Sequence, residues 1–262
     1  MKISSIWHQR HRLQVFSLAA LLIVCLTLIG CSPSAQSANN TQQPDGKLKE
    51  QVLQIIRENP EVILESVQAY QQQQQDQLRS ARQSFLQQVK TNPKAAIADS
   101  PTTGSPSQKL VLIEFSDFQC PFCSRAHNTV NQFMAKHQDK VTLAFKHFPL
   151  IKIHPQALPA AKAAWAAQQQ GKFWEYHNAL FEQQKQLSEE LYGAIAKNLN
   201  LNLEKFNNDR NSPAAEAAIE KDIQIAQTLG IDGTPFFILN GETFSGAVEL
   251  SEMETILAKV SK

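Results

Sequence analysis

The stretch of sequence that decides the fold runs from residue 113 to residue 123 and reads IEFSDFQCPFC. An apolar run from Leu110 to Phe115 predicts a buried strand there. Two cysteines two residues apart, Cys120 and Cys123, come next, and an apolar helical pattern then continues to about Lys136. A strand, a C-x-x-C pair and a helix in this order are typical of a redox-active dithiol.

Cys120 is the expected nucleophile because it lies where the helix begins. Unsatisfied backbone N–H groups and the positive end of the helix dipole both favour a thiolate at this position. Pro121 suits the first helical turn. Cys123 lies one turn further along on the same side, where its thiol can resolve a mixed disulfide.

Three other uses of the cysteine pair remain open from the residues alone. A zinc site needs about four ligands, and the sequence contains no second C-x-x-C pair to complete one. A purely structural disulfide between Cys120 and Cys123 would close too small a loop to add much stability. The third alternative is a pair of inert, buried thiols.

Residues 1–30 predict a lipoprotein signal peptide. A basic start is followed by an apolar stretch over residues 13–29, and this stretch ends in Leu28-Ile29-Gly30-Cys31, which is similar to a bacterial lipobox. Cleavage before Cys31 and lipidation of that cysteine are therefore expected, with an uncleaved signal anchor as the alternative. The protein would then be anchored by lipid in the bacterial cell envelope. By analogy with lipoproteins of Gram-negative cells, Ser32 favours the outer membrane.

Processing would leave only two thiols for chemistry. Cys25 departs with the signal peptide and Cys31 carries the lipid, so Cys120 and Cys123 remain. Disulfides persist in exported proteins, and a lone pair there indicates action on the thiols of other proteins. Processing also removes three of the 25 Lys and Arg residues and none of the 24 acidic residues, leaving a net charge of −2. No basic field for nucleic acid is predicted.

The chain between the signal peptide and the dithiol predicts three segments. Residues 31–46 are rich in Ser, Asn and Gln and predict a flexible tether. Residues 47–92 carry a thin apolar stripe at helical spacing, interrupted at Asn59-Pro60. Such a helix is not stable alone in water, so we expect it to pack on the main domain or on a second copy, which makes a homodimer possible. Residues 93–107 predict a linker.

Residues 108–262 predict an α/β domain. The expected order is strand, helix, strand, an all-helical insert at about 153–229, a hairpin turning at Asn240-Gly241, and a final helix. His147 and His154 lie near the end of the second strand. We interpret both as surface or capping residues and leave them out of the predicted site.

The sequence resembles the thioredoxin superfamily, and most closely its DsbA-like branch, over about residues 107–262. Three features carry the resemblance: the IEFSDFQ stretch before the C-P-x-C, the helical insert between Phe148 and Gly230, and Gly233-Thr234-Pro235-Phe236 before the third strand. The resemblance implies a thioredoxin fold with an all-helical insertion. The helical segment at 47–92 is similar, more weakly, to the extension through which some DsbA-like envelope proteins dimerise.

The resemblance also implies roles for residues outside the cysteine pair. Thr234-Pro235 should have a cis peptide bond and bind an extended segment of the substrate; an ordinary trans turn proline is the alternative. Glu114 should lie buried beneath the dithiol, where a carboxyl of raised pKa can move the proton of Cys123. The alternative for Glu114 is a strand-edge carboxylate that faces solvent.

The two residues between the cysteines, Pro121 and Phe122, are expected to tune the redox chemistry. The strongest oxidases of the family have a histidine where this chain has Phe122. Phenylalanine provides neither a positive charge nor an N–H donor. We therefore expect Cys120 to be less acidic, and its disulfide less oxidising, than in those enzymes.

The resulting hypothesis is a thiol–disulfide oxidoreductase that acts on exported proteins through a mixed disulfide and uses no cofactor. Its expected partners are client proteins with thiols or disulfides, a membrane redox partner, and the membrane itself through the lipid on Cys31. The direction stays open between oxidase and isomerase or reductase, and the helical extension and Phe122 favour isomerase-like or dual use. A second hypothesis is a non-catalytic surface lipoprotein that uses the thioredoxin fold as a binding module.

Overall fold

The computed structural model describes residues 46–261, which divide into two compact units, residues 46–65 and residues 66–261. The predicted signal peptide, the lipidation site at Cys31 and nearly all of the predicted tether lie outside the described residues. No helix in the described part of the chain is long and apolar enough to span a membrane.

The helical extension forms two helices that meet at Asn59, as the sequence predicts: α1 (Gly46–Glu58) and α2 (Pro60–Thr91). No residue of α1 is buried. The C-terminal part of α2 belongs to the second unit and packs against it, because Val89 is fully buried and Phe85 lies against the same core.

The second unit contains a five-stranded sheet with helices on both faces. Its strands are β1 (Thr102–Gly104), β2 (Leu110–Ser116), β3 (Val141–His147), β4 (Phe236–Leu239) and β5 (Glu242–Ser245). Its further helices are α3 (Pro93–Ile97), α4 (Pro121–His137), α5 (Ala157–Gln168), α6 (Phe173–Glu182), α7 (Glu189–Asn198), α8 (Leu203–Arg210), α9 (Pro213–Thr228) and α10 (Leu250–Val260), with a short 3₁₀ turn at Gln184–Gln186.

The strand order is β1-β3-β2-β4-β5. β2 and β3 are parallel and are connected through α4, whereas β1, β4 and β5 each run antiparallel to their neighbours. β2 is central and almost wholly buried, which explains why it reads as a continuous apolar run. The thioredoxin fold with a helical insertion, predicted from the sequence, is confirmed.

The predicted linker at 93–107 is not a linker, because the segment belongs to the second unit. It contains α3, whose Ala96 and Ile97 are buried, and the edge strand β1. Gly104 closes against β3 with a positive φ of 88°, and a Cβ at this position would lie 2.4 Å from the Val141 carbonyl oxygen. The close approach of the two strands therefore requires glycine.

The helical insert, α5 to α8 with the start of α9, builds a core of its own beside the sheet. Tyr176, Tyr192 and Phe206 are fully buried in this core. The same apolar cluster includes Cys120 and Cys123. The insert therefore forms one wall of the dithiol's surroundings.

Candidate active site

The dithiol lies at the N-terminus of α4. Cys120 is the residue before the first helical turn, and Pro121 occupies the first helical position. Cys120 is buried to 4% exposure and Cys123 completely, and both are free thiols. The first sulfur therefore sits among the unpaired backbone N–H groups of the helix end.

Cys120 has an acidic thiol. The largest effect comes from the Cys123 thiol, which hydrogen-bonds to the sulfur of Cys120. Together with the Thr234 hydroxyl and the backbone N–H groups of Cys123 and Phe122, it lowers the pKa of Cys120 to about 5, although partial burial opposes this shift. In the protonated form, Cys120 Sγ donates to the carbonyl oxygen of Thr234 over 3.3 Å. The environment thus favours a thiolate at neutral pH.

Cys123 has the opposite tendency. Burial, and then the neighbouring Cys120, raise the pKa of the Cys123 thiol well above its usual range. The backbone N–H of Asp117 points at Cys123 Sγ over 3.5 Å. At neutral pH the pair therefore holds one thiolate, Cys120, and one thiol, Cys123.

Thr234 and Pro235 lie against the dithiol, and the peptide bond between them is cis, as expected. The Thr234 carbonyl contacts Cys120 Sγ, and among residues 46–261 the Thr234 hydroxyl has no hydrogen-bond partner of normal geometry. This segment leads directly into β4.

Glu114 is buried in the middle of β2, with 2% of its surface exposed. Its neighbours in the sheet are Phe145 on β3 and Phe237 on β4. Burial raises the pKa of Glu114 to about 7, and the Ser116 hydroxyl partly opposes this. The carboxyl group can therefore gain and lose a proton near neutral pH.

Replacing Glu114 with glutamine is expected to change how stability depends on pH. The folded chain holds the Glu114 proton up to about pH 7, whereas the unfolded chain loses it near pH 4.5. The wild type therefore loses about 3 kcal/mol of unfolding free energy from this group as the pH rises between these values. Glu114→Gln has no carboxyl group at this position, so this loss of unfolding free energy should be absent from the variant.

Urea unfolding at about pH 5 and about pH 8 measures this difference between Glu114→Gln and the wild type. Glu220→Gln, on an exposed face of α9, is the matched control for the removal of one carboxyl group. An equal response of Glu114→Gln and the control would contradict a raised pKa at Glu114.

Phe122 is half exposed, at 50%, beside the nucleophile. The guanidinium group of Arg125, one turn along α4, lies over its ring at 4.5 Å from the ring centre. The ring thus holds a cation at the rim of the site. The sequence analysis did not single out Arg125, although the three-residue spacing on a helix could have indicated the contact.

Asp117 organises the loop before Cys120 and was missed from the sequence. One carboxylate oxygen accepts from the Gln119 N–H at 2.7 Å, and the other accepts from the Leu150 N–H at 3.0 Å and lies 2.7 Å from His154 Nδ1. His154, interpreted as a surface or capping residue, is instead part of this buried network. A charged residue directly after a buried strand and three residues before Cys120 was the available signal.

Gln184 ties the helical insert to the active-site loop. Its side-chain Nε2 donates to the carbonyl oxygens of Phe118 and Cys120, each at 2.9 Å. It lies in a polar sequence, QQKQ at 183–186, and no local pattern distinguishes it from its neighbours. Only the tertiary packing of the insert brings this amide to the nucleophile.

Replacing Gln184 with alanine is expected to lower the free energy of unfolding by about 1–2 kcal/mol, because two neutral hydrogen bonds are lost. Gln184→Glu has nearly the same shape but places a carboxylate against two carbonyl oxygens, so its loss should be larger at neutral pH. Urea unfolding of both variants measures the losses. A glutamate variant as stable as the wild type would mean that these contacts do not form.

His147 is buried, which contradicts its interpretation as a surface or capping residue. It is 3% exposed and contacts the rings of Phe145 and Phe173. Neither ring nitrogen has a hydrogen-bond partner in the part of the chain that the structure describes, and burial lowers the pKa of His147 to about 4. The histidine is therefore neutral at physiological pH.

A comparison with known families matches residues 96–259 to a thioredoxin family model. Among solved structures, the fold is similar to that of a thioredoxin-like oxidoreductase from Silicibacter pomeroyi DSS-3, with 29% identity and a TM-score of 0.58 over 65% of this chain and 98% of that one.

Two further structures are similar in fold, each at 23% identity. The thiol-disulfide exchange protein α-DsbA2 from Wolbachia pipientis has a TM-score of 0.59 over 69% of this chain and 98% of that one. ScsC from Proteus mirabilis, in a transitional conformation, has a TM-score of 0.58 over 82% of this chain and 95% of that one.

Among curated proteins, the chain is 33% identical over 145 residues to the Na⁺/H⁺ antiporter NhaA 1 of Mycobacterium sp. (strain KMS). The match covers 55% of this chain and 24% of the antiporter. The chain thus spans about a quarter of the length of this relative.

Proposed function

This chain belongs to the thioredoxin family, and from that premise we propose that it is a thiol–disulfide oxidoreductase that works through Cys120 and Cys123. The observation that carries the proposal is the placement of two free thiols at the N-terminus of α4, against the cis peptide bond of Thr234-Pro235. The pKa of Cys120 is about 5, whereas that of buried Cys123 is well above its usual range. At neutral pH Cys120 is therefore the nucleophile, and Cys123 stays protonated until the mixed disulfide has formed.

The reaction exchanges two electrons between the dithiol and a client disulfide. In the reducing direction the Cys120 thiolate attacks one client sulfur, the client S–S bond breaks, and a mixed disulfide forms. Cys123 then loses its proton and attacks Cys120 Sγ, which releases the second client thiolate and leaves the Cys120–Cys123 disulfide. The oxidising direction is the reverse of these steps. No cofactor takes part, because the dithiol itself carries the electrons.

Thr234 and Pro235 bind the client in this proposal. Their backbone lies at the nucleophile and continues into β4. An extended client segment can pair with the backbone of half-buried Thr234, as a strand adds to a sheet edge. Phe122 and Arg125 contribute an aromatic surface and a cation beside the same sulfur.

The clients are exported proteins, and the chain is held in the bacterial envelope by lipid on Cys31, with a membrane redox partner that resets the dithiol. This part of the proposal rests on the sequence of the first 31 residues. Metabolic labelling with a radioactive fatty acid tests it: the wild type should carry label, and Cys31→Ala should not.

The extension mediates self-association in this proposal. The apolar residues of α1 are exposed in the single chain, among them Leu48, Val52 and Ile55, and an apolar helical face of this kind is stabilised when a partner covers it. Light scattering on the purified protein should give a mass of two chains. Val52→Lys with Ile55→Lys should give one chain, whereas Gln51→Lys should not change the mass.

The direction of catalysis is tested by trapping the thiols of living cells with an alkylating reagent. A mostly reduced Cys120–Cys123 pair indicates an isomerase or reductase, and a mostly oxidised pair indicates an oxidase. A pair that stays reduced in cells and never forms a mixed disulfide with another protein would contradict the oxidoreductase proposal.

A further inference from the structure

Three polar side chains are buried in the carboxyl-terminal halves of β2 and β3, the part of the sheet that leads to the dithiol: Glu114, Ser116 and His147. Within the described residues, Glu114 Oε1, Ser116 Oγ and both ring nitrogens of His147 have no hydrogen-bond partner of normal geometry. Buried polar groups are rarely left without partners. A group of three beside a reactive sulfur therefore calls for a chemical explanation.

Ser116 is the last residue of β2 and lies along the chain between Glu114 and Asp117, whose backbone contacts Cys123. Glu114 and Ser116 are two residues apart on one strand, so their side chains share a face of the sheet. The backbone N–H of Asp117, the next residue, points at Cys123 Sγ over 3.5 Å. The Ser116 hydroxyl is near enough to lower the pKa of both the Glu114 carboxyl and the Cys123 thiol.

The reaction creates a need for a proton carrier at this position. In the reduced protein, the Cys123 thiol donates its hydrogen bond to Cys120. Once Cys120 is bound in a mixed disulfide, its sulfur no longer carries the charge that accepts this bond. The Cys123 proton must then pass to another group before Cys123 can attack.

We propose that the Ser116 hydroxyl carries the proton between the Cys123 thiol and the Glu114 carboxylate. As the S–H bond of Cys123 breaks, Ser116 Oγ accepts that proton and gives its own to Glu114. No electrons are exchanged in this step, and the reverse transfer restores the thiol when the Cys120–Cys123 disulfide is opened. The inference rests on the proposed oxidoreductase function and assigns to it a residue that lies outside the cysteine pair.

A serine hydroxyl suits this task because it accepts and donates at the same time. The other ionisable groups around this space are Cys120, which precedes α4, His147 on β3, which pairs with Ser116 in the sheet, and His177 on α6, whose ring contacts Phe145. Across the sheet from Glu114, β3 and β4 present only Phe145 and Phe237. Lys146, next to His147 in sequence, points to the opposite face of the sheet.

The test follows the reduced protein as it reacts with dithiobis(nitrobenzoate). The first thionitrobenzoate is released when Cys120 attacks the reagent, and the second when Cys123 attacks the resulting mixed disulfide, so stopped-flow absorbance separates the two steps. Ser116→Ala should slow the second phase by about tenfold or more and leave the first phase unchanged. Ser105→Ala, another buried serine, is the matched control and should change neither phase.

Glu114→Gln should slow the second phase to a similar extent, and adding Ser116→Ala to it should cause no further loss, because the two residues act as one unit. Ser116→Thr keeps a hydroxyl and should recover most of the rate. A second phase in Ser116→Ala within about twofold of the wild type would overturn the proposal. A double variant whose second phase is slowed by the product of the two single factors would also overturn it.

A measurement on the wild type keeps the proposal testable even where Ser116→Ala does not fold. Two protons move together in the second phase, so its rate should fall along a curve, not a straight line, as the D₂O fraction rises. A linear dependence of this rate on the D₂O fraction would overturn the proposal that Ser116 carries the proton. Failure of the proposed function itself is distinguishable, because the first phase would then be absent or would persist in Cys120→Ala.

Discussion

Replacing Cys120 with alanine is expected to lower the rate of thiol–disulfide exchange at neutral pH by at least about 100-fold. The reason is the fraction of thiolate at each sulfur. With a pKa of about 5, Cys120 is almost wholly thiolate at neutral pH. Burial, and then the neighbouring Cys120, raise the pKa of Cys123 well above its usual range, so Cys123 stays a thiol at that pH. Cys123 is also fully buried and cannot replace the nucleophile.

The matched variant for this experiment is Cys123→Ala, which keeps the nucleophile and loses the resolving thiol. It should attack a client disulfide and then accumulate as the mixed disulfide, visible as a shifted band on a non-reducing gel. Exchange is measured as the reduction of a disulfide-containing protein substrate. A Cys120→Ala protein that keeps more than about a tenth of the wild-type rate would show that another group does the chemistry.

Replacing Asp222 with alanine is expected to lower the free energy of unfolding by about 3–5 kcal/mol. Lys146 is 1% exposed, and its Nζ lies 3.0 Å from Asp222 Oδ1. The other carboxylate oxygen accepts from the backbone N–H of His147 at 3.0 Å. Without the carboxylate, a buried ammonium group keeps only the Ser100 hydroxyl as a partner among these contacts.

Urea unfolding at neutral pH measures the loss. Lys146→Met combined with Asp222→Ala removes both charges and should be less destabilised than Asp222→Ala alone, because no unpaired charge remains buried. Lys221→Ala, which breaks the exposed ion pair with Asp99, should cost less than about 1 kcal/mol. An Asp222→Ala variant as stable as Lys221→Ala would contradict the expected contribution of the buried Lys146–Asp222 pair to the free energy of unfolding.

Sequence patterns were sufficient where one local feature determines the structure. The apolar run at 110–115 and the helical spacing after Cys120 place β2 and α4 nearly at their observed bounds. The burial of Glu114 also followed, because alternation places it on the face of Leu112, and that face is covered by α4. These are short-range patterns, and tertiary packing did not override them.

Features that depend on tertiary contact could not be predicted in this way. β1 is three exposed residues in a Ser- and Pro-rich segment, and only its pairing with β3 makes it a strand. No local sequence feature marks His147 as buried. Its burial results from packing against Phe173 of the helical insert. Gln184 reaches the dithiol from a position 64 residues beyond Cys120, and no local signal marks that approach.

Phe122 remains the residue from which we expect a Cys120 less acidic than that of the strongest oxidases of the family. A pKa of about 5 for Cys120 lies between the ~3.5 of the most oxidising dithiols and the ~7 of a reducing one. The histidine of strong oxidases is absent, and the Cys123 thiol, the Thr234 hydroxyl and the backbone N–H groups of Cys123 and Phe122 stabilise the Cys120 thiolate. The dithiol is therefore expected to be intermediate in oxidising power.

The most direct test of the oxidoreductase proposal is the redox equilibrium of the purified protein in glutathione buffers, followed by alkylation of the free thiols. We expect one reversible two-electron transition between the dithiol and the Cys120–Cys123 disulfide, with a potential between about −120 and about −270 mV. A disulfide that does not form, or one with a potential below about −300 mV, where structural disulfides lie, would contradict it.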